Sequence, residues 1–598
     1  MQDTLDRPPR TVADWLSRLA AGADPLPALQ QARALALTAR PLSLWIHLCP
    51  DASWGAQLAR LSQRLAAEPD RATLLQRYPL LGVPFAVKDN IDIADEPTTA
   101  ACPAFKHVAP HNATVVQKLL DAGALWLGKT NLDQFATGLV GTRSPYGRPA
   151  SVADAARISG GSSSGSAVAV ARGIVPFALG TDTAGSGRVP AGFNGLVGLK
   201  PTPGRVSTAG VVPACRTLDC VSVFTHTVDD AALVLALIEG PDAADAYSAF
   251  TPGAARLSPK LRLGVPKSAD VDPACGYADA WAAAKGHALS LGHELVEIDF
   301  TPLHEVAALL YEGPWVAERH AACRAIFDEE PKAMDDTVRR VVAGAAAFSA
   351  TQAFEALYRL RAMQQQLQAL WLQVDALLVP TAPTHPRFAE VDADPLGVNA
   401  RLGTYTNFVN LLGWCALAVP ADPCDNGLPF GVTFIAPGGL DVALQDAARR
   451  WMNAAQPRAP AHSPAVRAVL PIAVVGAHLS GLPLNGQLLE RGALLLETTT
   501  TAPSYRLYAL PGTTPPKPGL QRVAECGAAI ALEVWALPIE TVGSFLALIP
   551  APLGLGSVTL ADGRSVHGFQ CEAHALAGAR DITAFGGWRA YLRSLATT

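Results

Sequence analysis

The sequence predicts an α/β protein whose sheet is covered by helices, followed by a smaller second domain. The chain has 598 residues, which is too long for one ordinary core. From about residue 80, apolar runs typical of strands alternate with helical stretches of small residues, and this favours a sheet covered on both faces. The proline-rich segment AAQPRAPAHSPAVR (454–467) is typical of a linker. We therefore predict one domain over 1–453, with N-terminal helices over about 1–75, and another over 468–598.

The composition excludes several classes of function. The net charge is only −5 and no Lys/Arg run is present, which argues against nucleic acid or an anionic membrane as the partner. The ten cysteines are scattered without a C-x-x-C pair, so neither a zinc site nor a disulfide framework is expected. The N-terminus lacks an apolar signal segment, and no apolar run reaches the roughly 20 residues that span a bilayer. We expect a soluble, cytoplasmic protein with no metal.

The elements follow from local signals along the chain. Thr11 with Asp14 predicts the start of a helix in TVADWLSRLAAG, and Gly22 predicts its end. The apolar run LLGVPFAVKD (80–89) predicts a strand that ends near Lys88. After the linker, LPIAVVGAH (470–478) predicts the first strand of the second domain.

The stretch GALWLGKT (123–130) fits the phosphate-loop pattern G-x-x-x-x-G-K-[ST]. A phosphate loop needs a flexible glycine-rich turn between a strand and a helix. Here Ala124–Leu127 is a strand-like apolar run that includes a tryptophan. We therefore reject nucleotide binding and predict a strand, a tight turn at Gly128 and a helix capped by Thr130.

Two loops dense in glycine and serine, 160–166 and 180–187, bracket one apolar segment. Glycine at this density inside a large domain indicates a backbone that approaches another group closely. Clustered hydroxyl side chains add a candidate nucleophile whose oxyanion is held by backbone N–H groups. A flexible linker is the alternative, but apolar runs flank both loops. We interpret the region as an active site.

Two serine-hydrolase arrangements fit these loops. Gly161–Gly165 matches G-x-S-x-G, which makes Ser163 the nucleophile and requires a downstream acid and histidine. That motif must follow a strand, and the preceding SVADAARIS is not strand-like. The other arrangement uses Lys88 as the base, because burial lowers the pKa of a lysine. A neutral lysine then accepts a proton from one serine, which takes it from another.

Three motifs, LLGVPFAVKDNID (80–92), GGSSSGSA (160–167) and GTDTAGSGRVPAGFNGLVGLKPT (180–202), resemble the amidase signature family. The resemblance extends over about 75–440, through GKTNLDQFATG (128–138), LLVPTAPT (377–384) and PFGVTFIAP (429–437). It implies the amidase-signature fold, a mixed twisted sheet covered by helices, and no cofactor. It also implies these roles: Ser186 as nucleophile, Ser162 as bridging serine on a cis peptide bond, Lys88 as base, the N–H groups of Thr183, Ala184, Gly185 and Ser186 as oxyanion hole, and Asp182 with Arg188 as braces of that loop.

Some positions depart from the common family pattern. Ser164 and Ala184 stand where many members have glycine, and Gly187 stands where many have a large side chain. With TAGSGR and FNG, they resemble one branch of the family, the allophanate hydrolases. That resemblance implies hydrolysis of allophanate to ammonia and N-carboxycarbamate, which goes on to carbon dioxide and ammonia.

The same branch resemblance assigns the substrate carboxylate to Tyr311 and Arg319 in LYEGPWVAER (310–319). Arginine suits this role because its charged fork matches two carboxylate oxygens. Alternatively, Arg319 pairs with Glu318 or Glu312 on a solvated helix face.

The segment VVGAHLSGLPLNGQL (474–488) resembles the opening of the γ-glutamylcyclotransferase-like fold, which implies a small α+β domain built as a β-barrel with helices. His478 is the candidate residue there for acting on N-carboxycarbamate, which is a dicarboxylate. Tyr505, Arg506 and Glu533 are further polar residues of lower rank. A histidine satisfied at a strand end, in a structural or dimerising module, is the alternative.

Two other functions share the same serines and lysine, namely those of a general small-amide amidase and of one subunit in an amidotransferase. A neutral amide substrate would not need Arg319. An amidotransferase chain that passes ammonia to an aminoacyl-tRNA partner would need a docking surface and partner chains, and the C-terminal domain does not resemble a tRNA-binding module. The expected partners are a small-molecule substrate, a second copy in a homodimer, and a urea carboxylase coupled in function, but neither nucleic acid nor membrane.

Overall fold

The computed structural model describes residues 8–250, 253, 256–452 and 469–596. They divide into two compact units, residues 8–250 with 258–452, and residues 253 and 256–257 with 469–596. The linker predicted at 454–467 lies outside the described residues. The domain limits predicted from the sequence stay predictions.

The strands of the first unit are short and mostly buried: β1 (Trp45–Leu48), β2 (Pro84–Lys88), β3 (Pro97–Thr98), β4 (His107–Val108), β5 (Leu125–Thr130), β6 (Phe177–Asp182), β7 (Val197–Lys200), β8 (Cys220–Thr225), β9 (Arg262–Pro266), β10 (Glu294–Ile298), β11 (Ala376–Pro380), β12 (Cys415–Pro420) and β13 (Gly431–Ala436). Eleven of them form one mixed sheet in the order β1-β5-β2-β6-β8-β7-β12-β13-β11-β9-β10, while β3 and β4 pair separately. In β2, β5 and β6, which are parallel neighbours, every residue is buried. The sheet is therefore covered on both faces there, and the predicted α/β class is confirmed.

The helices of the first unit are α1 (Val12–Ala20), α2 (Leu26–Thr38), α3 (Asp51–Ala67), α4 (Arg71–Arg77), α5 (Thr114–Asp121), α6 (Ser164–Ala171), α7 (Val189–Phe193), α8 (Val228–Ile238), α9 (Tyr277–Ser290), α10 (Thr301–Ala308), α11 (Val316–Glu329), α12 (Asp336–Ala343), α13 (Ala350–Leu367), α14 (Leu370–Gln373), α15 (Phe388–Ala393), α16 (Gly397–Leu402), α17 (Asn407–Leu411) and α18 (Asp441–Met452). The first helix begins as predicted, because the Thr11 hydroxyl accepts a hydrogen bond from the Asp14 N–H at 2.9 Å. Gly22 follows the helix end with φ of 86°.

The region of the phosphate-loop pattern differs from the prediction in two respects. The strand β5 runs through Gly128 to Thr130, so the predicted turn at Gly128 and the helix after Thr130 are wrong. Glycine is needed inside the strand because a Cβ at this position would lie 3.0 Å from the His47 carbonyl oxygen of the paired strand β1. The pattern's lysine, Lys129, is fully buried and pairs with Asp89 at 3.0 Å. The lysine is thus part of the protein interior, in agreement with the rejection of nucleotide binding.

The helix α6 carries the first glycine–serine loop into the core. Its sequence SGSAVAVA consists of small residues, and all but the last are buried. Gly165 lies against the backbone, since a Cβ there would collide with the Leu44 carbonyl oxygen and lie 2.6 Å from the Asn131 nitrogen. Small side chains therefore let this helix approach closely enough to hold the loop before it.

The second unit consists of two sheets and short helices: β14 (Val469–Val474), β15 (Leu494–Thr500), β16 (Tyr505–Ala509), β17 (Pro518–Arg522), β18 (Ala531–Pro538), β19 (Leu553–Thr559), β20 (Ser565–Cys571), β21 (Arg580–Asp581), α19 (Gly486–Leu489), α20 (Val542–Leu546) and α21 (Trp588–Ala596). A five-stranded sheet has the order β15-β18-β14-β20-β19, and a three-stranded sheet has the order β17-β16-β21. The predicted first strand is confirmed as β14. The likeness to a γ-glutamylcyclotransferase-like barrel stays a prediction. Across the described ranges, none of the helices combines the length and apolarity that a membrane crossing needs.

We predict opposite effects of alanine at two helical glycines. Gly165→Ala should lower the free energy of unfolding by roughly 1–3 kcal/mol, because the new methyl group must displace backbone. Gly55→Ala should raise it by about 0.5–1 kcal/mol, since this exposed glycine in α3 has no atom near its missing Cβ. Urea denaturation followed by tryptophan fluorescence measures both. Equal effects of the two substitutions would contradict the close approach at Gly165.

Candidate active site

Lys88 ends β2 and is completely buried. Its Nζ donates hydrogen bonds to Ser162 Oγ at 2.7 Å, Ser163 Oγ at 3.0 Å and Thr181 Oγ1 at 2.7 Å. Burial disfavours the ammonium form and lowers the pKa of Lys88 to about 7, although nearby buried carboxylates oppose this shift. A lysine with this pKa is partly neutral at physiological pH, so it is chemically able to act as a base.

The sheet brings the lysine and the second glycine–serine loop to one edge. The strands β2 and β6 are parallel neighbours, with Val87 opposite Leu179. Their carboxyl ends therefore meet at the same edge, which places Lys88 beside the loop that begins at Asp182. Thr181, near the end of β6, completes this contact through its hydrogen bond with Lys88.

Ser162 follows a cis peptide bond, Gly161–Ser162, as the family resemblance implies. Its side chain is fully buried against Lys88, and its carbonyl oxygen accepts a hydrogen bond from the Asp133 N–H at 3.1 Å. The hydroxyl of Ser162 is thus held where a proton can pass to or from Lys88. Its role as the bridging serine stays a prediction.

Ser163 has a different environment. Its hydroxyl donates to the Thr181 carbonyl oxygen at 3.1 Å, and it accepts from Lys88 and from the Thr181 N–H. Within the described residues no histidine bonds to it, and the residues just before it form no strand. The geometry therefore contradicts the α/β-hydrolase alternative, in which Ser163 would be the nucleophile.

Ser186 lies on the loop between β6 and α7 and is 3% exposed. Its hydroxyl donates one long hydrogen bond, 3.4 Å, to the Gly138 carbonyl oxygen. A hydroxyl held this weakly keeps its proton available for transfer. The structure thus gives Ser186 the freedom that a nucleophile needs, and the role itself stays a prediction.

The loop of Ser186 is organised by the carboxylate of Asp182. This group pairs with Arg188 through two hydrogen bonds, 2.9 Å from Nε and 2.8 Å from a terminal nitrogen, and both side chains are fully buried. It also accepts the N–H groups of Gly185 and Gly187. Despite burial, the Arg188 pairing and these donors hold the pKa of Asp182 below its usual value. Asp182 and Arg188 therefore occupy the bracing positions predicted for them.

The backbone donors of this loop differ from the predicted set in one member. The Gly185 N–H donates to Asp182 at 2.8 Å, so it is already occupied. In the part of the chain that the structure describes, the N–H groups of Thr183, Ala184 and Ser186 have no acceptor. Three of the four predicted donors therefore remain for an oxyanion.

Tyr311 and Arg319 come together although they do not share a helix. Gly313 and Pro314 lie between α10 and α11, and only Arg319 is helical. A terminal guanidinium nitrogen of Arg319 lies 3.4 Å from the Tyr311 hydroxyl, and the guanidinium carbon lies 5.2 Å from the ring centre. The pair is formed by the turn that precedes α11.

Arg319 is 2% exposed and its environment is short of acceptors. It donates at 3.2 Å to Thr137 Oγ1 and at 3.4 Å to the Ala136 carbonyl oxygen, while its Nε has no partner. Among the described residues no carboxylate lies within ion-pair distance of it. The Glu318 carboxylate instead accepts hydrogen bonds from the Thr217 N–H at 2.9 Å and from the Thr217 hydroxyl at 2.5 Å. The predicted alternative of a solvated ion pair is wrong for Arg319.

Arg319 and Ser186 contact the same short segment. The guanidinium binds Ala136 and Thr137, and the Ser186 hydroxyl binds Gly138, the next residue. The cation and the serine are therefore both anchored to the same three-residue segment, 136–138. Although burial opposes its charge, nearby groups that include Tyr311 and Asp219 keep the pKa of Arg319 above its ordinary value. The site therefore combines a hydroxyl, free N–H donors and a permanent cation.

Sequence reasoning missed Asp219, a buried carboxylate ahead of β8. It accepts the Thr183 hydroxyl at 2.5 Å and the N–H groups of Ala214 and Cys215. Burial raises its pKa above the usual value. Two further residues were missed as well: Thr181, whose hydroxyl accepts from Lys88, and Asn410, whose side-chain amide donates to the Asp182 carbonyl oxygen at 2.8 Å. A single Asp, Thr or Asn beside a strand carries no distinctive pattern, so only the fold reveals these contacts.

In the second unit His478 follows β14. Its Nε2 bonds to Gln487 Oε1 at 2.9 Å, and its ring stacks on Phe569 with centres 5.3 Å apart. Burial lowers the pKa of His478. The residue lines a cavity together with Gly476, Lys517 and Phe569. One ring nitrogen is thus satisfied, as the alternative expected, yet the residue also faces a cavity.

The lower-ranked polar residues of this unit have mainly structural contacts. Glu533 accepts from Ser480, Trp535 and Arg589. The Tyr505 hydroxyl accepts the Thr559 N–H, and Arg506 donates to the Cys526 carbonyl oxygen. In the described ranges no group of three or more His, Cys, Asp or Glu side chains is arranged to hold a metal ion.

Comparison with protein families gives two matches. The amidase family model matches residues 57–444, which is more than half of the chain. The model of the allophanate hydrolase C-terminal domain matches residues 470–593. These two segments correspond to the two units of the structure.

Individual relatives agree with this division. A urea amidolyase from Lachancea kluyveri is 46% identical over 578 residues, which cover 92% of this chain and 31% of the relative. The chain thus spans less than a third of the urea amidolyases that it matches.

Two further relatives are matched over most of their length. One of the subunits of the glutamyl-tRNA(Gln) amidotransferase from Thermus thermophilus is 36% identical over 68% of this chain and 90% of its own. The structure of Kluyveromyces lactis allophanate hydrolase is 41% identical, with a TM-score of 0.72 over 98% of this chain and 99% of that chain. The chain therefore belongs to the amidase family and carries an allophanate hydrolase C-terminal domain after its amidase domain.

Proposed function

We propose that this chain hydrolyses allophanate, the urea that bears a carboxylate on one nitrogen, releasing ammonia and N-carboxycarbamate. The observation that carries the proposal is the buried cation beside a serine hydrolase site. Arg319 and Tyr311 offer charge and hydrogen bonds to one carboxylate, and no carboxylate of the described chain neutralises Arg319 at ion-pair distance. A small amide that carries a carboxylate matches this arrangement.

In the proposed reaction Lys88 begins as a neutral amine. In this form its two N–H groups donate hydrogen bonds to the hydroxyl oxygens of Ser163 and Thr181, and its lone pair accepts one from the Ser162 hydroxyl. The proton of Ser162 passes to Lys88 while Ser162 takes the proton of Ser186. Ser186 then attacks the terminal amide carbonyl of the substrate.

The attack produces a negative oxygen, which the free N–H groups of Thr183, Ala184 and Ser186 stabilise. The departing nitrogen takes a proton back through Ser162 and leaves as ammonia. Water hydrolyses the remaining acyl group from Ser186 and gives N-carboxycarbamate. No step of this route requires a metal or an organic cofactor.

We propose that the second unit acts on this dicarboxylate, which loses carbon dioxide and yields ammonia. Supporting this, the cavity at His478 carries Lys517 as its charged side chain and otherwise mainly apolar residues. A lysine suits a carboxylated anion, and His478 keeps one ring nitrogen available for proton transfer. A structural role for the domain is the alternative.

The same catalytic groups would serve a general small-amide amidase or one subunit of an amidotransferase. The first alternative leaves the buried charge of Arg319 unused, and the second requires partner chains. We further propose a cytoplasmic homodimer, coupled in function to a urea carboxylase. The longer urea amidolyase relatives support such coupling, because they contain a segment like this chain within a larger protein.

We expect the purified chain to release ammonia from allophanate without ATP. Ser186→Ala should abolish release, since the nucleophile is lost. Arg319→Ala should act chiefly on KM, raising it by roughly 10- to 100-fold, because hydrogen bonds to charged groups contribute on the order of 1.5–3 kcal/mol. The measurement is steady-state ammonia release for each variant.

Arg324→Ala is the matched control, because Arg324 is an exposed arginine on the same helix. It should leave both constants unchanged. If the chain turned over uncharged amides but not allophanate, the serine–lysine mechanism would stand and the proposed substrate would be wrong.

The pH dependence should report on Lys88. Since the neutral amine is the base and burial lowers its pKa to about 7, kcat/KM should rise with pH and level off above that value. Asp219 favours the charged form of Lys88, so Asp219→Asn should move the rising limb to lower pH. Thr183→Val removes the hydrogen bond to Asp219 but leaves its charge, so it should lower kcat without moving the limb. A limb that stays in place in Asp219→Asn would contradict the electrostatic link.

The second unit can be tested separately. His478→Ala should leave the first ammonia release unchanged and slow the release of carbon dioxide, giving a lag between the two products. The exposed His574 of the same unit serves as the control, and His574→Ala should show no lag. Simultaneous product release in His478→Ala would indicate that the domain is structural.

A further inference from the structure

The Glu318 carboxylate, in the residue before Arg319, joins the start of α11 to a distant loop. Its two oxygens accept separate hydrogen bonds from Thr217, one from the N–H at 2.9 Å and one from the hydroxyl at 2.5 Å. Hydrogen bonds to an ionised acceptor are stronger than those between neutral groups, and two of them fix an orientation as well. The contact therefore holds the first turn of α11 against residues 214–219, which we call the 214–219 loop.

The 214–219 loop is bound at its other side to the oxyanion loop. The carboxylate of Asp219 accepts the N–H groups of Ala214 at 2.8 Å and Cys215 at 3.2 Å, which closes the loop on itself. The same carboxylate accepts the Thr183 hydroxyl at 2.5 Å. One short, closed loop thus connects an oxyanion donor residue with the helix that carries Arg319.

Other contacts hold the start of α11 less firmly. In the part of the chain that the structure describes, its N-cap residue Trp315 makes no side-chain capping hydrogen bond. Helical geometry is interrupted at Cys323, where φ is −119° and ψ is 16°, so the later turns of α11 guide the first ones less. The hydrogen bonds of the Arg319 guanidinium are 3.2–3.4 Å long. The two bonds of Glu318 are shorter than any of these.

We propose that Glu318 is a positioning residue, which fixes the first turn of α11 through Thr217 and so places the Arg319 guanidinium relative to the oxyanion donors. This inference rests on the carboxylate-binding role proposed for Arg319. The 214–219 loop then sets the distance between the two ends of the bound substrate, because it contacts Thr183 on one side and Glu318 on the other. A site of fixed length suits a small substrate with one carboxylate and one reacting carbonyl.

Removing Glu318 distinguishes positioning from electrostatics, because the two predict opposite signs. Glu318 is an anion beside a site for an anion, so loss of its charge without a change of geometry would lower KM. We expect Glu318→Ala to raise KM for allophanate by roughly 3- to 10-fold with kcat little changed, since two charge-assisted hydrogen bonds, partly exposed to water, are lost. The measurement is steady-state ammonia release.

Conservative variants test whether the hydrogen bonds carry the effect. Glu318→Gln keeps an acceptor for Thr217 and should restore most of the wild-type KM. Thr217→Ala removes the hydroxyl donor and should raise KM, whereas Thr217→Ser keeps both donors and should not. Glu329→Ala is the matched control, because Glu329 is an exposed glutamate at the end of the same helix, and it should leave KM unchanged.

A double-mutant comparison tests whether Glu318 acts through Arg319. Once Arg319 is replaced by alanine, Glu318→Ala should have no further effect on KM, because the residue that it positions is gone. An unchanged or lowered KM in Glu318→Ala alone would overturn the proposal. A full additional rise in the Arg319→Ala background would overturn it as well.

Hydrogen–deuterium exchange of the full chain without substrate gives a readout that does not depend on activity. Glu318→Ala and Thr217→Ala should each speed exchange in peptides that cover 214–219 and 316–322, while peptides of the second unit exchange as in the wild type. Unchanged exchange in both peptides would overturn the proposal. A wild type that does not hydrolyse allophanate, with faster exchange in these variants, would contradict the substrate and retain the Glu318–Thr217 contact.

Discussion

The carboxylate of Asp182 is the interaction on which the site depends. It accepts four hydrogen bonds, two from Arg188 and two from the backbone of Gly185 and Gly187. Arg188 in turn donates to Asn410 Oδ1 and to the Thr406 carbonyl oxygen, which ties the loop to α17 and its preceding residue. A buried charge is costly unless it is fully bonded, so this network favours the loop conformation in which all four hydrogen bonds form. This network therefore positions Ser186 and the free N–H groups of the loop.

Lys88, at the end of β2, likewise depends on burial that is compensated by hydrogen bonds. Lys88 loses the solvation of its charge because the sheet and α6 enclose it, and glycine at position 165 allows that enclosure. Its hydrogen bonds to Ser162, Ser163 and Thr181 replace water with three oxygens of fixed position. The fold therefore supplies both a lowered proton affinity and a direction for proton transfer. Burial of this polar cluster is costly for stability, and it leaves Lys88 partly neutral at physiological pH.

Much of this could be predicted from the sequence, and the remainder could not for identifiable reasons. The α/β class and the helix at Thr11 follow from periodicity and capping, which are local. The turn predicted at Gly128 was wrong because a glycine can end a strand or sit inside it, and only the partner strand β1 decides. Asp219 carries no pattern of its own, since its contacts come from residues brought together by the sheet. The sequence shows that Gly187 departs from the family pattern, but only the fold gives the reason. A Cβ at this position would lie 2.5 Å from the Ser222 Cβ, so the large side chain of many family members has no room.

The charges around the site bear on what it binds and releases. Buried carboxylates at Asp133, Asp182 and Asp219 raise the pKa of Lys88, and Arg143, Arg188 and Arg319 balance them in number. Arg188 pairs with Asp182, and the Arg143 guanidinium donates to the carbonyl oxygens of Thr137 and Pro395 at 2.9 and 2.7 Å. Arg319 is held more weakly, because two of its three hydrogen bonds are 3.4 Å long, so it is the cation best placed to bind a ligand. On the proposed reaction the substrate brings one carboxylate, which Arg319 neutralises. The product brings two, and the second has no cation of its own among three buried carboxylates. Electrostatic repulsion then favours release of the dicarboxylate as soon as it forms, which agrees with the proposal that the next step takes place in the lysine-bearing cavity of the second unit.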